Sequence, residues 1–436
     1  MPKKPYIDYD YQFMLREHVS GVGFTTQKIR QLERDLLDVQ QGFRKNPEIL
    51  RGLLSSATKQ DLKHYRDLAA KLRTKAKHLI VIGIGGSDLG ARALIKSLSG
   101  NNNVHFIGAT TDPDALEAEL SKLNLTETAI NVVSKSGTTL ETLATFSIIQ
   151  DRLAKIIGTK KLRERIVVTT GSSGILFDYA QQEEYTMLHI PEHIGGRFSV
   201  FTACGLFPAA FAGLAIEKII MGANAVFDDA IHASPTRSGP VQFAGMQYLA
   251  YADQRLMNTA LISYSTPLQT IGEWFRQLWA ESLGKSTNRN GGAVDVGLTP
   301  LFGIGPSDQH SQLQLYLDGP KSTLVNFLRL ENHTHEIKVP ALKLKSAAIT
   351  QIQGRKLSHL LDIECAATAM ALAQNGRMSG TLTLQKCDAE HIGALLAFFM
   401  SATVALGELL DINVFDQPAV EAIKKNITKM LTAKKK

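Results

Sequence analysis

The chain has 436 residues, 44% hydrophobic, 20% charged and 7% aromatic, the composition of a folded protein with a sizeable buried core. Six lysines and two acids from residue 416 onward supply +4 of the net charge of +7, so the body carries only +3, which argues against a nucleic-acid-coating surface. Three scattered cysteines, Cys204, Cys365 and Cys387, exclude a disulfide framework and a zinc cage and point to a reducing cytoplasm. Residues 1–5 lead into Tyr6, Asp8 and Tyr9 rather than an apolar run, so no secretory signal is expected.

The chain up to about residue 75 reads as helices, at 26–44 and 59–75, where apolar residues recur at three- and four-residue spacing among charges. Short apolar runs then follow at 78–84, 104–109, 129–133, 166–170 and 186–190, alternating with helical stretches at 89–98, 113–123 and 139–157. Strands and helices alternating at this spacing predict a parallel sheet covered on both faces, one α/β domain over 45–195. After two apolar helices the alternation resumes. Strands are predicted at 260–265, 301–304, 324–330 and 381–384, and helices at 270–285, 308–317, 356–374 and 390–410, giving a second α/β domain over 196–412. Residues 1–44 read as an N-terminal helical segment and 413–436 as a helical arm with a lysine-rich tip. The apolar stretches 200–216 and 392–410 approach membrane-spanning length without flanking basic clusters, so both are expected to be core helices. No low-complexity linker separates the domains, which places a site between them.

Two loops carry the chemistry of the first domain. Gly83-Ile84-Gly85-Gly86-Ser87-Asp88-Leu89-Gly90 leads from a strand through glycines to a helix N-terminus, where free N–H groups and the helix dipole favour an anion. Asp88 stands where the dinucleotide fingerprint needs its third glycine, and no Lys-Ser/Thr pair follows, so the loop is neither a Rossmann fingerprint nor a P-loop. The second loop, Ser134-Lys135-Ser136-Gly137-Thr138-Thr139-Leu140-Glu141-Thr142, sets hydroxyls, a lysine and a glycine at another strand-to-helix junction. It suits a phosphomonoester; the competing reading is a hydroxyl-rich helix cap completed by Glu141.

Further along, Gly195-Gly196-Arg197 offers a close backbone approach and a rigid, permanently charged fork. Gln277, Glu281 and Lys285 share one face of a helix, where a Glu281–Lys285 ion pair is the plainer reading. His310 is expected in the first turn of a helix, a position that lowers a histidine pKa. His333-Thr334-His335 lacks the carboxylates or thiols of a metal site and reads as polar surface.

Six motifs in order, GIGGSDLG (83–90), SKSGTTLET (134–142), GGRFSVFTACGLFP (195–208), ESLGK (281–285), DQH (308–310) and FDQPAVEAIKK (415–425), make the chain resemble the phosphoglucose isomerase family. The resemblance spans about four fifths of the chain, with modest departures at Leu140, Ala203 and Pro418. It implies two sugar-isomerase (SIS) domains of the doubly wound parallel type, a C-terminal helical arm, a homodimer, a hexose 6-phosphate substrate and no cofactor or metal. It further implies Glu281 as base, Arg197 as the cation beside an enediolate, and His310 with Lys424 as the ring-opening pair. Ser134, Lys135, Ser136 and Thr139 would hold phosphate, with Gly86, Ser87, Gln277 and Gln417 as substrate contacts. A sugar-phosphate sensor, an aminosugar-phosphate enzyme and an NAD-dependent oxidoreductase are the competing classes. The sensor would need none of Glu281, His310 and Lys424, and the oxidoreductase would need a glycine at Asp88.

Overall fold

The computed structural model describes residues 4–98, 100, 103–344 and 346–432. A short strand, β1 (Ile7–Asp10), is followed by helices α1 (Thr26–Lys45) and α2 (Lys59–Arg73). Thr25 and Thr58 cap these helices through their hydroxyls, and Asp61 returns a bond to the Thr58 backbone. The first sheet then forms from β2 (His78–Ile82), β3 (Val104–Ile107), β4 (Thr128–Ser134), β5 (Ile166–Thr170) and β6 (Thr186–His189). Its order is β3-β2-β4-β5-β6 and every pair is parallel. All seven residues of β4 are buried, as a central strand covered on both faces requires.

The strand order reverses between β2 and β4. Loops leaving the carboxyl ends of two such strands diverge and open a crevice, the place where open parallel sheets take ligands. The loops at that point here are 83–88 and 135–139, the two segments whose glycines and hydroxyls stand out in the sequence.

The second sheet contains β7 (Asn258–Ser263) and, after a two-stranded hairpin of β8 (Lys285–Thr287) and β9 (Ala293–Val296), the strands β10 (Thr299–Ile304), β11 (Thr323–Asn332) and β12 (Ser379–Lys386). Its order is β1-β12-β11-β7-β10. The four parallel strands therefore repeat the winding of the first sheet, while β1 adds an antiparallel edge, with Ile7 opposite Leu384. The N-terminal segment is thus not wholly helical as its sequence suggests. Four residues alternating buried Ile7 and Tyr9 with exposed Asp8 and Asp10 are too short for periodicity to reveal. The hairpin is a second element that the sequence reading lacks.

Between the sheets, three helices stand where two were expected: α3 (Ala203–Phe211), α4 (Ile216–His232) and α5 (Gly239–Gln254). The helix α6 (Gln269–Leu283) follows β7, and α7 (Leu357–Gln374) precedes β12. A long helix, α8 (Ala389–Leu409), follows it, and α9 (Val420–Thr432) ends the described chain. By length and composition α8 could cross a membrane, yet 89% of its most apolar window is buried inside the fold, so it is a core helix. One apolar cluster takes in Leu79 and Val81 of the first sheet, Leu324 and Leu382 of the second, and most of α8. The two units share a core.

The helices α4 and α8 meet backbone to backbone. A Cβ on Gly222 would lie 1.8 Å from the Glu390 carbonyl oxygen, and one on Gly393 would lie 2.0 Å from that of Ile219. On an exposed helix Gly→Ala gains up to about 1 kcal/mol. Here Gly222→Ala should instead lose about 1–3 kcal/mol, because neither backbone can move aside cheaply. Urea unfolding of the variant measures this, and a raised midpoint would show that the helices do not approach so closely.

Candidate active site

The centre of the site is Arg197, in the 3-10 segment Gly196–Phe201, with its side chain 1% exposed. A guanidinium carries five N–H donors and cannot shed its charge at neutral pH, so burial demands oxygen partners. Its Nε donates to Ser282 Oγ at 2.7 Å and its Nη1 to Gln417 Oε1 at 2.8 Å. Nη2 donates to the carbonyls of Val414 and, at 3.0 Å, Asp416. The Glu281 carboxylate lies 3.6 Å from Nη1 and is 24% exposed. Burial holds the guanidinium pKa below its ordinary value, while Glu281 and Asp416 push it back up.

Helix α6 supplies the next group. Gln277 Nε2 donates to Glu281 Oε2 at 3.1 Å, one helical turn apart, and Gln277 itself lies against Gly85 of the first glycine loop. Lys285 does not pair with the Glu281 carboxylate. Its ammonium donates to the Glu281 carbonyl at 3.2 Å and the Asp416 carbonyl at 2.8 Å, and the Asp416 carboxylate stands 3.3 Å away. The plain helix-face ion pair is therefore not made, and the Glu281 carboxylate is left to Arg197 and Gln277. A cavity of about 280 Å³ adjoins Glu281, lined also by Lys285, Asn288, Asp416, Gln417 and Val420 among others.

The first glycine loop is pressed onto the arginine segment. A Cβ on Gly86 would sit 2.1 Å from the carbonyl carbon and oxygen of Gly196, so only glycine permits the contact. Ser199 Oγ, at 3.2 Å from the Gly86 carbonyl, reinforces it. Ser87 is half-buried at the end of the 3-10 turn Gly85–Ser87. Asp88 is tied to Arg92 in an ion pair, and burial raises its carboxyl pKa against the pull of that arginine.

In the hydroxyl-rich loop, Ser134 is buried and its Oγ lies 3.0 Å from Thr139 Oγ1, while it accepts the Gly137 N–H at 3.2 Å. Ser136 Oγ accepts from the Thr138 N–H at 3.3 Å and is exposed. The capping-box reading does not hold: Thr139 occupies the N-cap position of the helix Leu140–Ile157 but its side chain caps no N–H. Thr142 Oγ1 is buried without a hydrogen-bond partner among the described residues. Lys135 differs from its expected place. Its ammonium donates to the carbonyls of Glu192 and, at 3.0 Å, Ile194, bracing the segment that delivers Arg197, and burial lowers its pKa.

The ring-opening candidates lie elsewhere. The predicted helix 308–317 is a 3-10 turn, Ser307–His310, followed by the separate helix Leu313–Asp318. His310 is exposed at the end of that turn, so the helix-N-terminus argument does not apply to it. The Gly305 N–H donates to the Ser263 carbonyl at 3.0 Å, which fixes this turn at the carboxyl ends of β7 and β10. Helix α6 starts near that end and runs back, and Glu281 lies twelve residues along it from Gln269, about 18 Å of helix. His310 and Glu281 are therefore not brought together within one chain. Lys424 is exposed on α9, where its carbonyl accepts the Thr428 hydroxyl at 3.1 Å. Pro418 precedes α9 and leaves Gln417 in an irregular segment. Among the described residues no group of three or more His, Cys, Asp or Glu could hold a metal ion, and His333 and His335 are part of no such group.

Sequence reasoning missed Ser282 and the carbonyls of Val414 and Asp416. Ser282 is fully buried on the turn that carries Glu281, and a helical wheel centred on buried Leu278 would have turned it inward. Backbone carbonyls leave no such trace.

The phosphoglucose isomerase family model matches residues 64–436. The chain is 32% identical over 435 residues to a glucose-6-phosphate isomerase of Rubrobacter xylanophilus, covering 96% of each. It is 35% identical over 350 residues to a glucose-6-phosphate isomerase of Methanocaldococcus jannaschii, covering 80% of this chain and 83% of that one. Among solved structures, a hypothetical protein from Thermus thermophilus matches with a TM-score of 0.85 at 31% identity, over 98% of this chain and 100% of that one. A glucose-6-phosphate isomerase from Chlamydia trachomatis shares the fold, with a TM-score of 0.86 at 21% identity over 98% and 89%. On the family match and these relatives, the chain belongs to the phosphoglucose isomerase family.

Proposed function

We propose that the groups around Arg197 carry out the aldose–ketose isomerisation that goes with the family: the reversible interconversion of glucose 6-phosphate and fructose 6-phosphate, in glycolysis and gluconeogenesis. The observation that carries this reading is the Glu281 carboxylate held beside a buried, permanent cation, on a residue that lines a cavity. Moving a proton between C2 and C1 through a cis-enediolate needs one carboxylate that takes the proton and returns it to the neighbouring carbon. Glu281 has that role. Charge grows on oxygen as the enediolate forms, and a fixed cation there lowers the barrier by about 3 kcal/mol. Arg197 supplies it without exchanging protons. Its partners Ser282 and Gln417 hold the guanidinium in place before substrate arrives, so little reorganisation remains at the chemical step. The scheme draws on no metal and no organic cofactor.

Ser134, Ser136 and Thr139 form the phosphate cradle, supported by the helix behind them, whose N-cap side chain caps no N–H, and by the buried Thr142 hydroxyl, unpartnered among the described residues. Lys135 lends its charge from the rim while bracing 192–194. Gly86, Ser87, Gln277 and Gln417 contact the sugar, and the Gln277 amide oxygen is buried without a partner among the described residues, an acceptor for a substrate hydroxyl.

Ring opening falls to His310 with Lys424. Because His310 is exposed at the far end of the second sheet, a second copy of the chain is the economical way to deliver it, and a homodimer goes with the reading. The SIS-type units extend over 45–195 and 196–412, flanked by 1–44 and the arm 413–436, a division supported by the repeated strand order. A cytoplasmic place goes with three unpaired cysteines.

Glu281→Gln should fold, bind a phosphorylated hydroxamate that mimics the enediolate, and lose turnover by a factor on the order of 10³. It should also stop exchange of the C2 hydrogen of glucose 6-phosphate with deuterated water. Exchange at the wild-type rate in a folded variant would remove Glu281 from the chemistry and give the proton transfer to another group.

Thr139→Val should raise KM for fructose 6-phosphate while inhibition by an unphosphorylated polyol stays nearly constant. An equal loss for both ligands would mean that this loop does not read phosphate.

His310→Ala should lose most activity on cyclic hexose phosphate and retain more on an acyclic sugar phosphate. Equal damage on both would move His310 out of ring opening.

A further inference from the structure

We infer that Lys285 is a positioning residue, which ties the last turn of the catalytic helix to the segment 413–417 and so keeps Glu281, Arg197 and Gln417 in register. The inference rests on the reading of Glu281 as base. The geometry behind it is a single carbonyl shared by two cations. The Asp416 C=O accepts from Arg197 Nη2 at 3.0 Å and from Lys285 Nζ at 2.8 Å. Lys285 reaches back to the Glu281 carbonyl at 3.2 Å, one of the carbonyls that the end of a helix leaves without an intrahelical partner. A cation is favoured there by the helix dipole as well. The Asp416 carboxylate stands 3.3 Å from the ammonium and accepts from Asn413 Nδ2 at 3.0 Å, which closes the loop on itself.

The next residue in the chain, Gln417, bonds Arg197. Lys285 therefore fixes where the polypeptide stands as it presents Gln417 to the site. Its side chain is 7% exposed, and burial with the neighbouring Arg197 cation lowers its pKa, so two positive charges are held close by the oxygens of one short segment. Without the lysine, Arg197 keeps its own bonds to 414 and 416, and its links to the helix that carries Glu281 are Ser282 Oγ and the Glu281 carboxylate at 3.6 Å, neither of which holds the 413–417 backbone directly.

The test uses the full-length enzyme and two readouts: steady-state kinetics with fructose 6-phosphate, and limited proteolysis within 413–419 without substrate. Lys285→Met should lower kcat about tenfold or more with KM within about threefold, and cleavage should quicken. Lys285→Arg should restore most of kcat, since the adjoining cavity has room for the longer fork and its donors suit the same carbonyls. Wild-type kcat in Lys285→Met, unchanged cleavage, or an arginine variant as slow as the methionine one would each overturn the inference. Should Lys285→Met not fold, Asp416→Asn takes its place: a two- to threefold fall in kcat with faster cleavage supports the tie, and unchanged cleavage overturns it. Glu281→Gln run alongside separates the two readings. Faster cleavage in Lys285→Met with C2 exchange retained in Glu281→Gln supports the tie and removes the base. Unchanged cleavage with exchange lost removes the tie and keeps the base.

Discussion

A permanent positive charge sealed inside the protein has to be answered by oxygen, and the answers to Arg197 assemble the site. They come from two stretches of chain far apart in sequence: the end of α6, through Ser282 and the Glu281 carboxylate, and the 413–417 segment. Removing any one leaves a buried charge less than fully paired, which costs more than an ordinary hydrogen bond is worth. Satisfying one side chain and building one active centre are thus the same event. The glycine pair at 86 and 196 extends it, because their backbone contact draws the first glycine loop onto the arginine segment.

The hydroxyl-rich loop at the crevice is linked to this centre through Lys135. By residue type it belongs with the hydroxyls around it, yet its ammonium bonds the backbone just before Gly195. The loop around Lys135 and the loop that carries Arg197 are therefore one mechanical unit. On the proposed reading, binding energy gathered at a phosphate held there would orient the reacting end of the substrate, the use to which enzymes put groups that take no part in the chemistry.

Much of this was legible in the sequence, and the rest was not for physical reasons. Alternating apolar runs and helical periods revealed both parallel sheets, because buried strands such as β2, with Leu79 to Ile82 all apolar, leave an unbroken apolar signature. The loops at the switch point stood out through glycine and hydroxyl density. What escaped was short or carried by backbone. β1 has four residues, the β8–β9 hairpin pairs only a few, and the turn holding His310 imitates a helix start until its 3-10 geometry is seen. Lys135 escaped for another reason: a lysine's residue type tells its charge, and only the fold tells which carbonyls will claim it.

β1 has a consequence for how the polypeptide comes into being. Its partner strand begins at Ser379, so β1 leaves the ribosome long before the strand it pairs with. At 5–20 residues per second the interval is on the order of tens of seconds. During that time the first sheet, whose strands all lie between His78 and His189, has everything it needs to pair, while β1 stays an open edge. An unpaired strand with Ile7 and Tyr9 on one face is a template for the wrong neighbour. Its aspartates at 8 and 10 put like charges where two such strands would meet, so the same few residues that complete the second sheet also guard the nascent chain while it waits.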